Sequence, residues 1–274
     1  VYLLTESYNQ KELYLYQNIF LDIKKMKMHL WDDVKGHLEI PYRKYAYVKH
    51  PSGQHISLYG ERLKRVTQFD KDDPTLHESD VPPTTRFLVD NYGDSDEMSV
   101  GHRIMFFDIE VEVTDGFPDV QKAQNVITSI ALYDCITEKY FTYCFDPEQR
   151  IKSYTKDDEV VEFYDTEYEM LNKFFQKYLE IRPTIISGWN SEFFDIPYLY
   201  NRAVRVLGPE VANLLSPISQ VLYSEYKKKH TIAGVSSLDY LQLYRQFTFG
   251  QKSSYRLDYI GEVEVGMKKV DYEG

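Results

Sequence analysis

The stretch at residues 103–113, "RIMFFDIEVEV", constrains the chain more than any other. Four apolar residues run in, and then Asp108, Glu110 and Glu112 alternate with Ile109, Val111 and Val113. A period of two predicts a β-strand whose successive side chains face opposite ways, so Asp108 and Glu110 share one face. Two carboxylates side by side at the end of an apolar strand repel each other, and burial would add a desolvation cost unless a positive charge sits between them. A divalent ion supplies that charge, and a hard oxygen donor set favours magnesium or manganese. The competing interpretation is a strand whose acidic face is simply solvated, which is how Glu112 is taken.

The segments after this strand alternate in type. "NVITSIALYD" (125–134) and "KYFTYCF" (139–145) predict a hairpin. "TEYEMLNKFFQKYLEIRP" (166–183) carries Leu171, Phe174, Phe175, Tyr178 and Leu179 at helical spacing, with Thr166 and Glu169 spaced as a capping box. "TIISGWN" (184–190) predicts a short strand, and "IPYLYNRAVRVLG" (196–208) a helix with Pro197 in its first turn and Gly208 past its end. "SSLDYLQLYRQF" (236–247) runs from a strand end into a helix. Strand, hairpin, helix, strand, helix predicts an α/β domain with a mixed sheet.

Residues 1–102 lack that rhythm. "YRKYAYVK" (42–49) and "HISLYG" (55–60) predict two strands about a Pro/Gly turn, and "KKMKMH" (24–29) a solvated helix face. The polar, proline-rich 70–85 segment is taken as a connector or an extended crossing segment, and "DNYGDSDEMSVGH" (90–102) as a linker. The expected organisation is a small, mostly β N-terminal domain over 1–102 and an α/β domain over 103–274.

The 274 residues suffice for two domains with cores of their own. A net charge of −11 argues against a broad basic surface for nucleic acid, though not against a local site where metal ions offset the acids. Cys135 and Cys144 are too few for a disulfide framework and are not spaced as a metal knuckle, which suits free thiols in a reducing compartment. No apolar run reaches membrane-spanning length, and the opening "VYLLTESYNQ" does not have the pattern of a signal peptide. A cytoplasmic location is expected, in a host cell if the source is viral.

A second acid strengthens the metal hypothesis. In "SGWNSEFFDIPYLYNR" (187–202), Asp195 follows a short strand and opens a helix, near the positive end of the helix dipole. It serves either as a helix cap or as a third ligand beside Asp108 and Glu110. Asn190 is a turn residue or an amide that positions a ligand, while Trp189, Phe193 and Phe194 are expected in the core.

These phrases together resemble a known family. "FFDIEVEVTDGFPD" looks like the first exonuclease motif of family B DNA polymerases, and "GWNSEFFDIPYLYNR" like their second. "NVITSIALYD", "SSLDYLQLYRQFTF" and "SYRLDYIGEVEV" are similar to the accompanying segments in the polymerases of T-even-type tailed phages, over about residues 103–274. The N-terminal part resembles them only through "LEIPYRKYAYVK" and "SLYGERLKRV". The resemblance implies a ribonuclease H-like fold carrying 3′→5′ proofreading with two Mg2+ or Mn2+ ions. It implies that Asp108 bridges both ions, that Glu110 holds one and helps orient water, and that Asp195 serves the other. Phe117, in "DGFPD", matches a position expected to stack on the terminal bases of a frayed strand, or is an ordinary turn aromatic. The implied partners are a single-stranded DNA 3′ end, primer–template DNA, and the palm, fingers and thumb of a polymerase.

The family's third motif, a Tyr followed four positions later by Asp, does not occur after residue 195. "YRLDY" (255–259) has the wrong spacing, so Asp258 is taken as structural. A fragment cut before that motif is expected to bind metal weakly and to be a poor exonuclease. "QVLYSEYKKKHTIAGVSSLD" (220–239) matches the region where phage polymerases carry a β-hairpin that helps separate primer from template. Lys227, Lys228 and Lys229 there would meet phosphate, or form a solvated loop. Two other functions fit the sequence: a free-standing 3′→5′ exonuclease, and a non-catalytic nucleic-acid-binding module with vestigial acids.

Overall fold

A computed structural model describes residues 16–93, 96–114, 116–268 and 270. The expectation for the "VYLLTESYNQ" segment falls outside these residues. The chain divides into two compact units, 1–101 and 102–274.

In the first unit, β1 (Tyr16–Asp22), β2 (Lys27–Asp32) and β3 (Gly36–Pro41) form an antiparallel meander. The run at 24–29 is therefore not a helix face. It is a turn leading into β2, with Met26 in the left-handed region at φ 51° and Met28 buried. Alternation overrides the helical look of the lysines, because Met28 and Leu30 point together into a small core with Ile40. A second sheet holds β4 (Ala46–Lys49), β5 (His55–Ile56) and β6 (Arg62–Val66) in the order β4-β6-β5. The two expected strands thus exist but do not pair with each other, since β6 lies between them. The connector and linker are interrupted by α1 (Pro83–Tyr92), which starts on a proline at its first turn.

The second unit is a seven-stranded mixed sheet with helices. Its strands are β7 (Ile104–Val111), β8 (Ile127–Asp134), β9 (Lys139–Phe145), β10 (Tyr154–Lys156), β11 (Glu159–Tyr164) and β12 (Ile185–Gly188), with β15 (Ser236–Asp239) at one edge. The order is β10-β11-β9-β8-β7-β12-β15. Pairing is antiparallel for β10–β11, β8–β9 and β7–β8, and parallel for β9–β11, β7–β12 and β12–β15. Between β12 and β15 come α3 (Asp195–Val206), α4 (Pro209–Ala212) and a separate hairpin of β13 (Val221–Ser224) with β14 (Lys229–Ile232). The amphipathic α2 (Glu167–Ile181) precedes β12, and α5 (Tyr240–Phe247) and α6 (Leu257–Val265) follow β15. As the sequence predicts, Thr166 caps α2 by accepting from the Glu169 amide at 3.2 Å.

The core lies under one face of the sheet. Met105, Phe107 and Ile109 of β7 point into it and meet Ile130 and Leu132 of β8, Phe174 and Tyr178 of α2, and Ile196 and Leu199 of α3. The opposite face of β7 carries Phe106, Asp108 and Glu110, all exposed. One strand thus presents a packed side and an acidic side.

Candidate exonuclease site

The site is built where β7 outruns its neighbour. On one side β7 stays paired with β8 through Val111, but on the other its partnership with β12 ends at the Phe106–Ser187 pair. Beyond that point the β7 amides that face the β12 side have no partner strand among the described residues. The Ile109 amide donates instead to Oδ1 of Asp195 at 3.1 Å. Asp195 is the first residue of α3, and its helix has no side-chain cap. The carboxylate is therefore not a cap; it reaches across to β7.

The loop that delivers it is tightly held. A Cβ on Gly188 would come within 2.6 Å of the Phe107 carbonyl oxygen, so only glycine lets β12 end this close to β7. Asn190 turns the chain in the left-handed region at φ 64°, and its carbonyl accepts from the Phe193 and Phe194 amides. Buried Asp239, at the end of β15, accepts from the amides of Asn190 at 3.0 Å and Glu192 at 3.2 Å, and from Leu241 at 2.9 Å, the start of α5. One carboxylate thus ties together the loop before α3 and the N-terminus of α5.

Farther along α3, Arg202 makes a buried, two-pronged pair with Glu167 of α2, at 2.8 and 2.5 Å. The same arginine donates to the carbonyls of Ala123 and Gln124, and Glu167 accepts from the Ile127 amide. This network fixes α3 against α2 and the approach to β8, and hence fixes where Asp195 stands. Sequence reasoning missed both anchors. Asp239 was findable as a cap residue directly before an apolar helical run. Nothing local marks Glu167 and Arg202 as partners.

Asp195 is 3% exposed. Burial, with Asp108 facing it as the next cause, raises its pKa from 3.8 to about 7, against the pull of the Ile109 hydrogen bond; Asp239 adds to the rise. Among the described residues, a buried carboxylate beside a second carboxylate, helped chiefly by backbone donors, is short of positive charge. That deficit suits a hard cation, and carboxylate oxygens are its donors.

The other expectations fare differently. Asp108 and Glu110 are exposed, so the desolvation anticipated for them applies to Asp195 alone. The three acids do not bring one ligand atom each to within 4.8 Å of one another; among the described residues the single set that does is His29, His37 and Glu39 of the first unit. Phe117 is 81% exposed and its ring lies 5.2 Å from that of Phe194, the residue before Asp195. Phe193 is exposed, whereas half-buried Phe194 packs against the core as expected. Half-buried Trp189 packs near Tyr240 and Tyr244 and donates to the Tyr255 carbonyl. Asp258 is exposed in the first turn of α6.

The lysine run sits on the β13–β14 hairpin. Lys228 occupies its turn at φ 52° and pairs with Glu225 at 2.9 Å. Lys229 pairs with Glu192 at 2.7 Å, linking the hairpin to the loop before Asp195. Among the described residues, Lys227 alone of the three has no ion pair.

Residues 94–260 match the family described as DNA polymerase family B, exonuclease domain. The chain belongs to DNA polymerase family B. Among similar proteins, the DNA-directed DNA polymerase of Escherichia phage RB69 is 33% identical over 201 residues, 63% of this chain and 22% of the relative. That of Enterobacteria phage T4 is 30% identical over 193 residues, 60% of this chain and 22% of the relative. DNA polymerase 1 of Saccharolobus solfataricus is 30% identical over 177 residues, 60% of this chain and 18% of the relative. The chain spans about a fifth of the length of these curated relatives. The resemblance carried by the two motif phrases is borne out, and both lie within the matched residues. Among the described residues no helix is long and apolar enough to cross a membrane.

Proposed function

We propose that this chain is the N-terminal and proofreading part of a viral DNA-directed DNA polymerase, with a ribonuclease H-like exonuclease domain that removes mispaired nucleotides from a DNA 3′ end. The observation that carries the proposal is the buried Asp195 carboxylate, set against the end of β7 beside Asp108 with its pKa raised to about 7.

When bound, two Mg2+ or Mn2+ ions would stabilise the attacking and leaving oxygens of a phosphodiester. Asp108 would serve both ions, Glu110 one of them together with the attacking water, and Asp195 the other. The three acids would be shared between two ions rather than close on one. Phe117, tethered by Phe194 at 5.2 Å, offers a face on which any terminal base can stack. Asn190 holds the turn that presents Asp195. The β13–β14 hairpin, with Lys227, Lys228 and Lys229, lies against the strand near the point where primer leaves template. The DNA 3′ end, the primer–template and the polymerase's remaining domains are the proposed partners.

These 274 residues hold no Tyr with an Asp four positions on after residue 195, so the chain assayed alone lacks one ligand and one phenol of the family's pattern. We expect slow, manganese-favoured loss of a 3′ label from single-stranded DNA, abolished by Asp108→Ala. Mn2+ binding measured by calorimetry should weaken in the same variant. Mn2+ binding and label loss that are both indifferent to Asp108→Ala would overturn the proposal.

A further inference from the structure

The first unit holds a second set of metal-binding side chains, chemically unlike the acids of the second unit. His29 of β2 and Glu39 of β3 stand directly opposite each other in the antiparallel register, and His37 stands opposite Trp31 on the same face. One ligand atom from each of His29, His37 and Glu39 lies within 4.8 Å of the other two. The imidazoles are nearly coplanar, 7° apart, with Nδ1 of His29 facing Nε2 of His37 at 2.9 Å. The indole of Trp31 stacks on His37 at 4.8 Å and covers one side of the group. His29 is 3% exposed, so its position is set by packing, whereas His37 and Glu39 are exposed.

We propose that His29, His37 and Glu39 bind a single borderline transition-metal ion, with Zn2+ as the reference ion and water completing the tetrahedron. Two imidazoles and one carboxylate are a donor set for zinc, cobalt or nickel rather than for magnesium, which takes oxygen and keeps its waters. Without an ion, one facing nitrogen donates a hydrogen bond to the other. Binding requires both to present lone pairs, so the shared proton moves to the far nitrogen of the ring that carries it, which stays neutral. For His29 the far atom is Nε2, which is buried with no hydrogen-bond partner, so no competing bond fixes the tautomer. Zn–N bonds of about 2.0–2.1 Å in a tetrahedron place the two nitrogens about 3.3 Å apart. The facing rings must therefore part and tilt toward Glu39, and His37, exposed on the edge strand β3, is the one able to swing.

The cation already beside Glu39 is Lys27. Its Nζ lies 2.5 Å from Glu39 and supplies the positive charge that holds this carboxylate beside the imidazoles. Metal and Lys27 thus compete for Glu39, which distinguishes a built site from adventitious surface binding. The inference is independent of the exonuclease reading and uses no residue of the second unit.

The test is calorimetric titration of ZnCl2 into the chelator-treated full chain carrying Asp108→Ala and Asp195→Asn, so that the acids of the second unit do not report. One Zn2+ per chain is expected, undiminished by millimolar Mg2+, with Co2+ giving the visible bands of a tetrahedral site. Adding His37→Ala should weaken binding about tenfold or more. His37 is exposed, so this variant keeps the fold, which its thermal transition checks. Adding Lys27→Ala instead should tighten binding severalfold. No zinc uptake, or uptake unchanged by His37→Ala, would overturn the proposal; so would a Lys27→Ala variant that binds no more tightly than its parent.

Discussion

Replacing Asp195 by Asn tests the central claim that the second unit is built short of one positive charge. The carboxyl titrates near pH 7 in the folded chain against 3.8 ordinarily, chiefly through burial and then through Asp108. The folded state therefore holds its proton more tightly than the unfolded chain does. Stability from this group is complete below about pH 3.8, declines as pH rises, and is fully lost once pH passes about 7. A gap of about three units at ~1.4 kcal/mol per unit gives ~4 kcal/mol as the upper figure. Asp108 is exposed, and solvent screens its share, so about 2–4 kcal/mol is the working range. Asn keeps an acceptor for the Ile109 amide and removes the charge. At pH 8 in EDTA, Asp195→Asn should raise the melting temperature of the second unit by on the order of 10 °C. At pH 4 the two proteins should melt nearly together. Adding Mg2+ or Mn2+ at pH 8 should stabilise the parent by mass action and leave the variant unmoved. The assay is differential scanning calorimetry across pH 4–8 with and without metal. A variant less stable than the parent at pH 8 in EDTA would refute the reasoning, because the native carboxylate would then be a satisfied group.

Four further outcomes follow from the same geometry. Arg202→Ala strands Glu167 in the interior without its two-pronged partner and should cost about 3–5 kcal/mol, read from denaturant unfolding. Gly188→Ala forces a methyl to within 2.6 Å of the Phe107 carbonyl and should cost about 1–3 kcal/mol while weakening Mn2+ binding, because it pushes the Asp195 loop away from β7. Phe117→Ala, at an 81% exposed position, should change stability by less than about 0.5 kcal/mol yet lose about 1–3 kcal/mol of single-strand affinity, measured by fluorescence anisotropy. Lys227→Ala should flatten the dependence of log affinity on log salt by about 0.7, whereas Lys229→Ala should change it less, since that charge already serves Glu192.

Much of the second unit is legible in its pattern because burial there is one-sided and periodic. α2 shows a cap at Thr166 and an apolar stripe. β7 shows Met105, Phe107 and Ile109 inward with Asp108 and Glu110 outward. The first unit is harder because its strands are short and its apolar residues few. β6 reads as "RLKRV", with only Leu63 buried, so nothing local announces the strand that separates β4 from β5. The lysines of 24–29 mimic a helix face while Met28 and Leu30 obey a period of two. Within the candidate site, the residue types were readable but their burial was not. The strand acids, expected buried unless their face is solvated, are exposed, and Asp195, expected as a cap or a ligand, is buried and caps nothing. That inversion arises from pairing: Ile109 faces the side of β7 that β12 leaves open, and only the three-dimensional register shows its amide in need of an acceptor.

The same register explains how a fold can carry such a carboxylate at all. The Ile109 amide, left without a strand partner, would itself be a destabilising group at the margin of the core. Asp195 answers that need with one oxygen, and the loop that brings it there is held by Gly188, Asn190 and Asp239. Burial and the neighbouring Asp108 nevertheless raise the pKa of Asp195 to about 7. A neutral acceptor such as Asn would meet the structural need equally well. An Asp is therefore more than the backbone requires, and its excess negative charge becomes favourable only when a cation sits on the acidic face of β7. A local rule broken at one place, with consistent packing around it, is what the proposed exonuclease site requires there.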